Sequence, residues 1–510
     1  MTPFKLERVL LYLFLLGLMI TAASGCAERG APPIPTLTPT PTSPPTATAT
    51  PTPPPTSTPT PTPTPTPLVT PPPAGRPHHA LEINLNYEDR RLDVIHHITL
   101  HNDSPDTWPE IVLAAPVAHQ PGAFTLYNVE ATTEWTQRIT PFTLDDIMLH
   151  ITPTVPLAPG APARVKLTYG MQIPPVASTS WPPIGNFGAG ERVIQVGDWH
   201  PTLAPYVAGE GWQTWRYHPV GDPVVYPLAD YEVTLRAAPE VVIAATGAIS
   251  AAAPARRYRV PAARSFAFLA STEYQLLEGH AGRTPIKSYV LPEHGESGQA
   301  IIETAQRALP LFEAYYGLYP YGELVIAENA YYGGMEYSGL VSLSGYAYAT
   351  YNDNPLSLLV NLGVHEMAHQ WWYGAVGNNQ IYEPWLDESF AKYSELLYYE
   401  RYHPELTNWW WENHVYRWDH GAPLDSTIYD YEDSPTYIHQ VYARGASFLA
   451  ELRAVMGDEA FFAFVRDYRQ ANDGKLADRE AFFQAARAHT DADLDALIAR
   501  YFRSSGSGVQ

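Results

Sequence analysis

Cysteine is nearly missing. Cys26 is the only one in 510 residues, so an intramolecular disulfide is excluded. Positive charge is scarce too: 31 Lys and Arg face 53 Asp and Glu. No basic run is present, which excludes nucleic acid as the expected partner. The acidic balance favours solubility and says little about substrate. No apolar run reaches the roughly 20 residues that a membrane-spanning helix needs. The longest, Val9 to Ala23, follows Lys5 and Arg8 and has the form of an export signal. At this length two or three domains are expected once tails are removed.

The run ends in Ala23-Ser24-Gly25-Cys26, which resembles a bacterial lipoprotein signal. Residues 1–26 are therefore expected to be a signal peptide, with Cys26 lipid-modified as the new N-terminus. Acyl chains would then anchor the mature protein to a membrane without a spanning helix. An ordinary cleaved signal or an uncleaved anchor are the alternatives. Residues 27–76 form a linker that is almost wholly Pro and Thr from residue 31 on. Without apolar periodicity it cannot pack. Extended at about 3.1 Å per residue, it would hold the folded part on the order of 100 Å away.

Residues 77–279 alternate apolar and polar positions, as in Leu81, Ile83 and Leu85, or Leu92, Val94, Ile98 and Leu100. With turns at Pro105-Asp106 and Pro159-Gly160 this predicts an antiparallel β domain, with an irregularity at His96-His97. His96, His97 and His101 fall on mixed strand faces and read as surface residues. Trp199, Tyr206, Trp212, Trp215 and Tyr217 are expected to pack against the next domain.

Residues 280–510 carry the chemistry. A helix is expected from Ala300 to Tyr315, kinked or restarted at Pro310, and strands at 324–326 and 340–343. Val364-His365-Glu366-Met367-Ala368-His369 is H-E-x-x-H. On a helix, positions i and i+4 share a face, so His365 and His369 can hold one zinc. Glu366 beside them is placed to take a proton from water. Zinc needs a third protein ligand, and Glu388 in Trp385-Leu386-Asp387-Glu388-Ser389 would supply it. The motif helix is expected to start with Asn354 as cap and Pro355 inside, and to stop at Gly374. A second helix from Pro384 would carry Glu388 and end before Pro404. Asp387 either orients a histidine or is simply an acid at a helix start.

Gly333-Gly334-Met335-Glu336, the His365-to-His369 motif with Glu388, and Tyr442-Ala443-Arg444-Gly445-Ala446 occur together. Over roughly residues 80–500 the chain resembles the aminopeptidase N (membrane alanyl aminopeptidase) family of gluzincin zinc metallopeptidases. The resemblance implies a multidomain α+β fold. A saddle-like antiparallel β domain would precede a thermolysin-like, mostly helical catalytic domain holding one zinc per chain. It implies peptide substrates, with Glu336 recognising the free α-amino group beside Gly333, Gly334 and Met335. Tyr442 would stabilise the oxyanion, and Tyr437 would also lie in the site.

Two departures matter. The family's strand motif usually ends in Asn, and here it is Tyr337. The chain stops near Gln510, so no large C-terminal helical domain is expected, and the cleft would be more open. The expectation is a zinc aminopeptidase anchored on the extracytoplasmic side. An endopeptidase with an open cleft is the alternative within the enzyme class. A catalytically inactive cell-surface binding protein on a peptidase scaffold is the alternative outside it. Residue specificity, natural substrate and oligomeric state are not written in the sequence.

Overall fold

Alternation builds the first half of the molecule. In His78–Asn86 (β1) and Arg91–His101 (β2), every second side chain is buried. The computed structural model describes residues 75–132, 140–251, 254–419 and 421–503, all within one compact unit. The signal-like segment, Cys26 and nearly all of the Pro/Thr linker lie outside them.

β1 and β2 join Phe124–Thr132 (β3), Pro162–Gln172 (β4), Ala229–Arg236 (β5), Ala248–Ala251 (β6) and Ala255–Ala263 (β7) in one sheet, ordered β6-β7-β5-β1-β2-β4-β3. Two four-stranded sheets and one two-stranded sheet complete this part, and the buried faces share one apolar core that includes Ile83, Val94, Leu113, Leu167, Val233 and Phe268. The sheet is not wholly antiparallel as expected: β1 and β5 run parallel. The chain makes a long excursion between them, and a parallel pair needs such a crossover.

Two further expectations fail in β2. The strand pairs with β1 and β4 without a break, so His96-His97 is no irregularity. His97 is exposed, but His96 takes an inward place and is fully buried. It meets His79 of β1, Nε2 to Nδ1 at 2.9 Å, and His200, with ring centroids 5.8 Å apart. His200 Nδ1 donates to the Pro201 carbonyl and its Nε2 accepts the Phe266 N–H. That ring has no lone pair left for a metal, so the three histidines form a neutral polar cluster inside an apolar core.

The second half is built on Gln275–Ala281 (β8), Thr284–Val290 (β9), Leu324–Asn329 (β10), Gly334–Tyr337 (β11) and Leu340–Ser344 (β12). The order is β8-β9-β10-β12-β11, which leaves β11 at an edge. β8 straddles residue 279 and belongs to this second sheet. Helix Gly295–Tyr316 (α1) packs Ile301, Ala305, Leu309 and Phe312 inward. It continues through Pro310 instead of restarting there.

The motif helix is Leu358–Ala368 (α2), shorter at both ends than the sequence suggested. The Asn354 side chain is occupied in a local turn, accepting the Leu356 N–H, and Ser357 caps the helix by accepting from Val360. At the other end His369 is the cap, five residues before Gly374. Trp385–Tyr402 (α3) starts after Pro384 and ends before Pro404, as expected. Arg444–Met456 (α4), Asp458–Ala471 (α5), Arg479–Arg487 (α6) and Asp495–Tyr501 (α7) close the chain. Of the expected interface aromatics, Trp215 is buried in this second core, Trp199 is buried in the first, and Trp212 packs against both. Among the described residues, no helix is long and apolar enough to cross a membrane.

Burial holds His79 and His96 well below 6.5 and His200 at about 4. Unfolded histidines titrate near 6.5, so below that pH the unfolded chain takes up protons that the folded chain refuses. Stability should therefore fall with pH, by up to ~1.4 kcal/mol per pH unit for each of the three. Urea unfolding between pH 7 and pH 5 measures this. His200→Gln should remove about one third of the slope, and a flat wild-type profile would contradict the account.

Candidate metal centre

Helical spacing turns His365 and His369 to one face of α2, and α3 crosses behind them with Glu388 near its start. Three donor atoms converge. His365 Nε2 lies 3.2 Å from His369 Nε2 and 3.2 Å from Glu388 Oε2, and His369 Nε2 lies 3.3 Å from that same oxygen. Ligands about 2.0–2.1 Å from a tetrahedral zinc stand about 3.3 Å apart, so the triangle has the edge lengths of a zinc face.

The groups behind the triangle fix its chemistry. His365 Nδ1 donates to Glu395 Oε1 at 3.0 Å, and His369 Nδ1 donates to the Trp372 carbonyl at 2.8 Å. A neutral imidazole with its proton on Nδ1 presents a lone pair at Nε2. Two such lone pairs and a carboxylate oxygen therefore face one another in a buried site. Only positive charge makes that favourable. Against the cost of burial, Glu388 and Glu395 draw His365 up to about 9, and the carboxylates around His369 draw it up as well. A single proton between the two Nε2 atoms relieves one contact of the triangle; a dication relieves all three. The donor set fits zinc.

The surroundings are strongly acidic. Burial pushes Glu366 up to about 8 and Glu336 up to about 7. Burial opposes ionisation of Glu388 as well, but His369 and His365 hold it down at about 2. Glu366 Oε2 and Glu336 Oε1 are buried without a hydrogen-bond partner among the described residues, free to meet a ligand. Glu366 sits against β11, where a Cβ on Gly334 would overlap its carboxylate. A side chain at 334 would therefore displace that carboxylate.

These groups open onto a cleft of about 290 Å³, lined also by Trp181, Pro182, Gly333, Met335, Tyr437 and Tyr442. Tyr442 donates to Glu388 Oε1 at 2.5 Å, and its ring lies parallel to that of His365. Tyr437 packs edge-on against Tyr442. The structure thus brings together His365, Glu366, His369, Glu388, Gly333, Gly334, Met335, Glu336, Tyr437 and Tyr442. One expectation needs correction, and one departure from the family pattern finds its place. Asp387 orients no histidine: its Oδ1 accepts the Glu388 N–H, and Glu395 and the Trp372 carbonyl do the orienting instead. Tyr337 does not intrude on the cleft, because alternation along β11 sends it to the opposite face from Glu336. There it is fully buried, its hydroxyl accepting from Gln195.

Three contributors escaped the sequence reading. Glu395 follows Glu388 by two helical turns, a spacing that marks a shared face and was readable. Asp222 and Arg264 come from the β-rich half, and nothing local marks them. Asp222 lines the cleft, its carboxylate within 4.8 Å of those of Glu336 and Glu388. The Arg264 guanidinium is 1% exposed and donates to five carbonyls, those of Tyr226, Tyr373, Gly374, Ala375 and Lys475. It thereby pins the turn next to Trp372, whose carbonyl orients His369.

With this geometry in view, comparison with known proteins is informative. A centre of two helical histidines and a glutamate from a following helix, beside an edge strand, defines a metallopeptidase-type zinc site. Residues 300–501 match the peptidase family M1 domain. Aminopeptidase N of Streptomyces lividans is 27% identical over 220 residues, 38% of this chain and 25% of that protein. The mitochondrial aminopeptidase 2 of Saccharomyces cerevisiae is 27% identical over 214 residues, 38% of this chain and 22% of that protein. The chain thus spans about a quarter of the length of these curated relatives. An M1 zinc metallopeptidase of Deinococcus radiodurans, solved as a point mutant, shares the fold with a TM-score of 0.60 and 17% identity; the match covers 85% of this chain and 95% of that one. Residues 300–501 are an M1 peptidase domain of the aminopeptidase N-like, gluzincin kind.

Arg264→Met would remove the donor to five carbonyls; those of Ala375 and Lys475 keep a backbone N–H, and those of Tyr226, Tyr373 and Gly374 lose their side-chain partner. It should cost at least about 3 kcal/mol of stability in urea unfolding, and a loss below about 1 kcal/mol would mean the clamp is dispensable.

Proposed function

We propose that this chain is a zinc-dependent aminopeptidase that removes N-terminal residues from peptides at the cell surface. The observation that carries the reading is the zinc-sized donor triangle facing the same cleft as Glu366, Glu336 and an open strand edge.

One zinc per chain, held by His365, His369 and Glu388, would polarise the scissile carbonyl and lower the pKa of water. The chain's own groups do the rest. The peptide backbone extends along the edge of β11, which offers unpaired N–H and C=O groups. Its terminal ammonium lies against Glu336 and Asp222, two carboxylates without competing cations. Glu366 takes a proton from the attacking water and passes it to the leaving amine. Tyr442 donates its O–H to the carbonyl oxygen as charge gathers there. Tyr337 faces away from the cleft and leaves Glu336 in place, and the Glu336 and Asp222 carboxylates gathered there favour the aminopeptidase over the endopeptidase reading.

The catalytic half reads as thermolysin-like in its arrangement around α2 and α3. The signal-like residues 1–26, Cys26 and the Pro/Thr tract support an exported enzyme. In this reading a lipid on Cys26 tethers it to the outer side of a bacterial membrane, with the linker as a stalk.

Glu366→Gln should retain zinc at about one per chain and lose at least about 10³-fold in kcat. Gly334→Ala should also keep zinc while lowering kcat by about 10²-fold, because it displaces the Glu366 carboxylate. Metal analysis beside peptide-hydrolysis rates checks both. A Glu366→Gln enzyme cleaving at the wild-type rate would sink the mechanism.

A further inference from the structure

We propose that Lys392 is a positioning residue that sets how firmly the centre holds its zinc, by competing with His365 for the carboxylate of Glu395. The proposal rests on the zinc reading above.

Glu388, Lys392 and Glu395 lie at i, i+4 and i+7 on one face of α3. The Glu395 carboxylate is saturated. Oε1 accepts from His365 Nδ1 at 3.0 Å and from Lys392 Nζ at 3.1 Å. Oε2 accepts from Lys392 Nζ at 2.8 Å and from Trp410 Nε1 at 2.9 Å. Lys392 gives a further N–H to His414 Nδ1 at 3.0 Å. Burial, then the nearby ammonium, hold His414 at about 3, so it is neutral and can accept. The ammonium also lies over the Trp410 ring, 5.7 Å from its centroid. This is a built, largely enclosed network and not a chance surface pair.

Its effect on the metal follows from hydrogen-bond chemistry. An imidazole whose Nδ1–H faces a bare carboxylate gives up part of that proton, and its Nε2 becomes a stronger donor. Lys392 and Trp410 draw charge off Glu395, so His365 stays a moderate donor. A moderate donor leaves the metal more electrophilic and more easily lost. Removing the ammonium and weakening the carboxylate should therefore act in opposite directions. A merely structural role for the network would move both the same way.

The test uses the full chain loaded with zinc and diluted into excess chelator, following metal loss over time. Lys392→Met should lose zinc about tenfold more slowly than wild type, and its kcat should fall with KM little changed. Glu395→Gln should lose zinc at least about tenfold faster. Should Lys392→Met not accumulate as folded protein, Lys392→Gln is read the same way. Equal loss rates for wild type and the Lys392 variant, or both variants moving together, overturn the proposal alone. A wild-type chain that takes up no zinc overturns the zinc reading and the proposal with it.

Discussion

Three lone pairs pointed at one buried position are the constraint on which this molecule depends. His365 Nε2, His369 Nε2 and Glu388 Oε2 repel one another unless positive charge lies between them. Holding them there takes support from both halves of the structure. Glu395 fixes one ring and the Trp372 carbonyl fixes the other. The turn that carries Trp372 is pinned by Arg264, which enters from the end of β7. The Gln370 side chain links the motif to the end of β11 and the turn after it, donating to the Tyr337 carbonyl and accepting the Gly339 N–H. The β-rich half thus braces the site and is more than an appendage to it.

Charge explains the rest of the cleft. Asp222, Glu336, Glu366, Asp387 and Glu388 crowd a region from which water is largely excluded, and burial raises all of them but Glu388. Such crowding is costly in a structural core, and it is tolerable where a dication and a substrate ammonium are to be received. The same logic separates the two histidine clusters. His365 and His369 face carboxylates and are drawn toward positive charge. His79, His96 and His200 face one another and tyrosine rings, and they stay neutral.

What was legible in the sequence follows the range of the interactions. H-E-x-x-H is local geometry, since four residues on a helix fix the two rings relative to each other. Glu388 was legible because it opens a second, clearly bounded helix. The limits of α2 were misjudged because Asn354 and Ser357 are both good capping residues, and the local turn at Pro355 took the first. His96 was misplaced because polar residues usually face out, and only the assembled sheets show His79 and His200 waiting for it. Asp222 and Arg264 lie in stretches with no periodicity. Their roles come from segments more than a hundred residues away, and that pairing exists only in the folded chain.

The central claim is that the cleft reads a free peptide amine beside a zinc centre. Mass spectrometry of the products from one peptide, offered with a free and with an acetylated N-terminus to the zinc-loaded protein, tests it most directly. Stepwise loss of N-terminal residues from the free form, with the acetylated form untouched, is the result the structure predicts. Internal cleavage of both forms would contradict it, because the Glu336 and Asp222 carboxylates would then have no ammonium to receive.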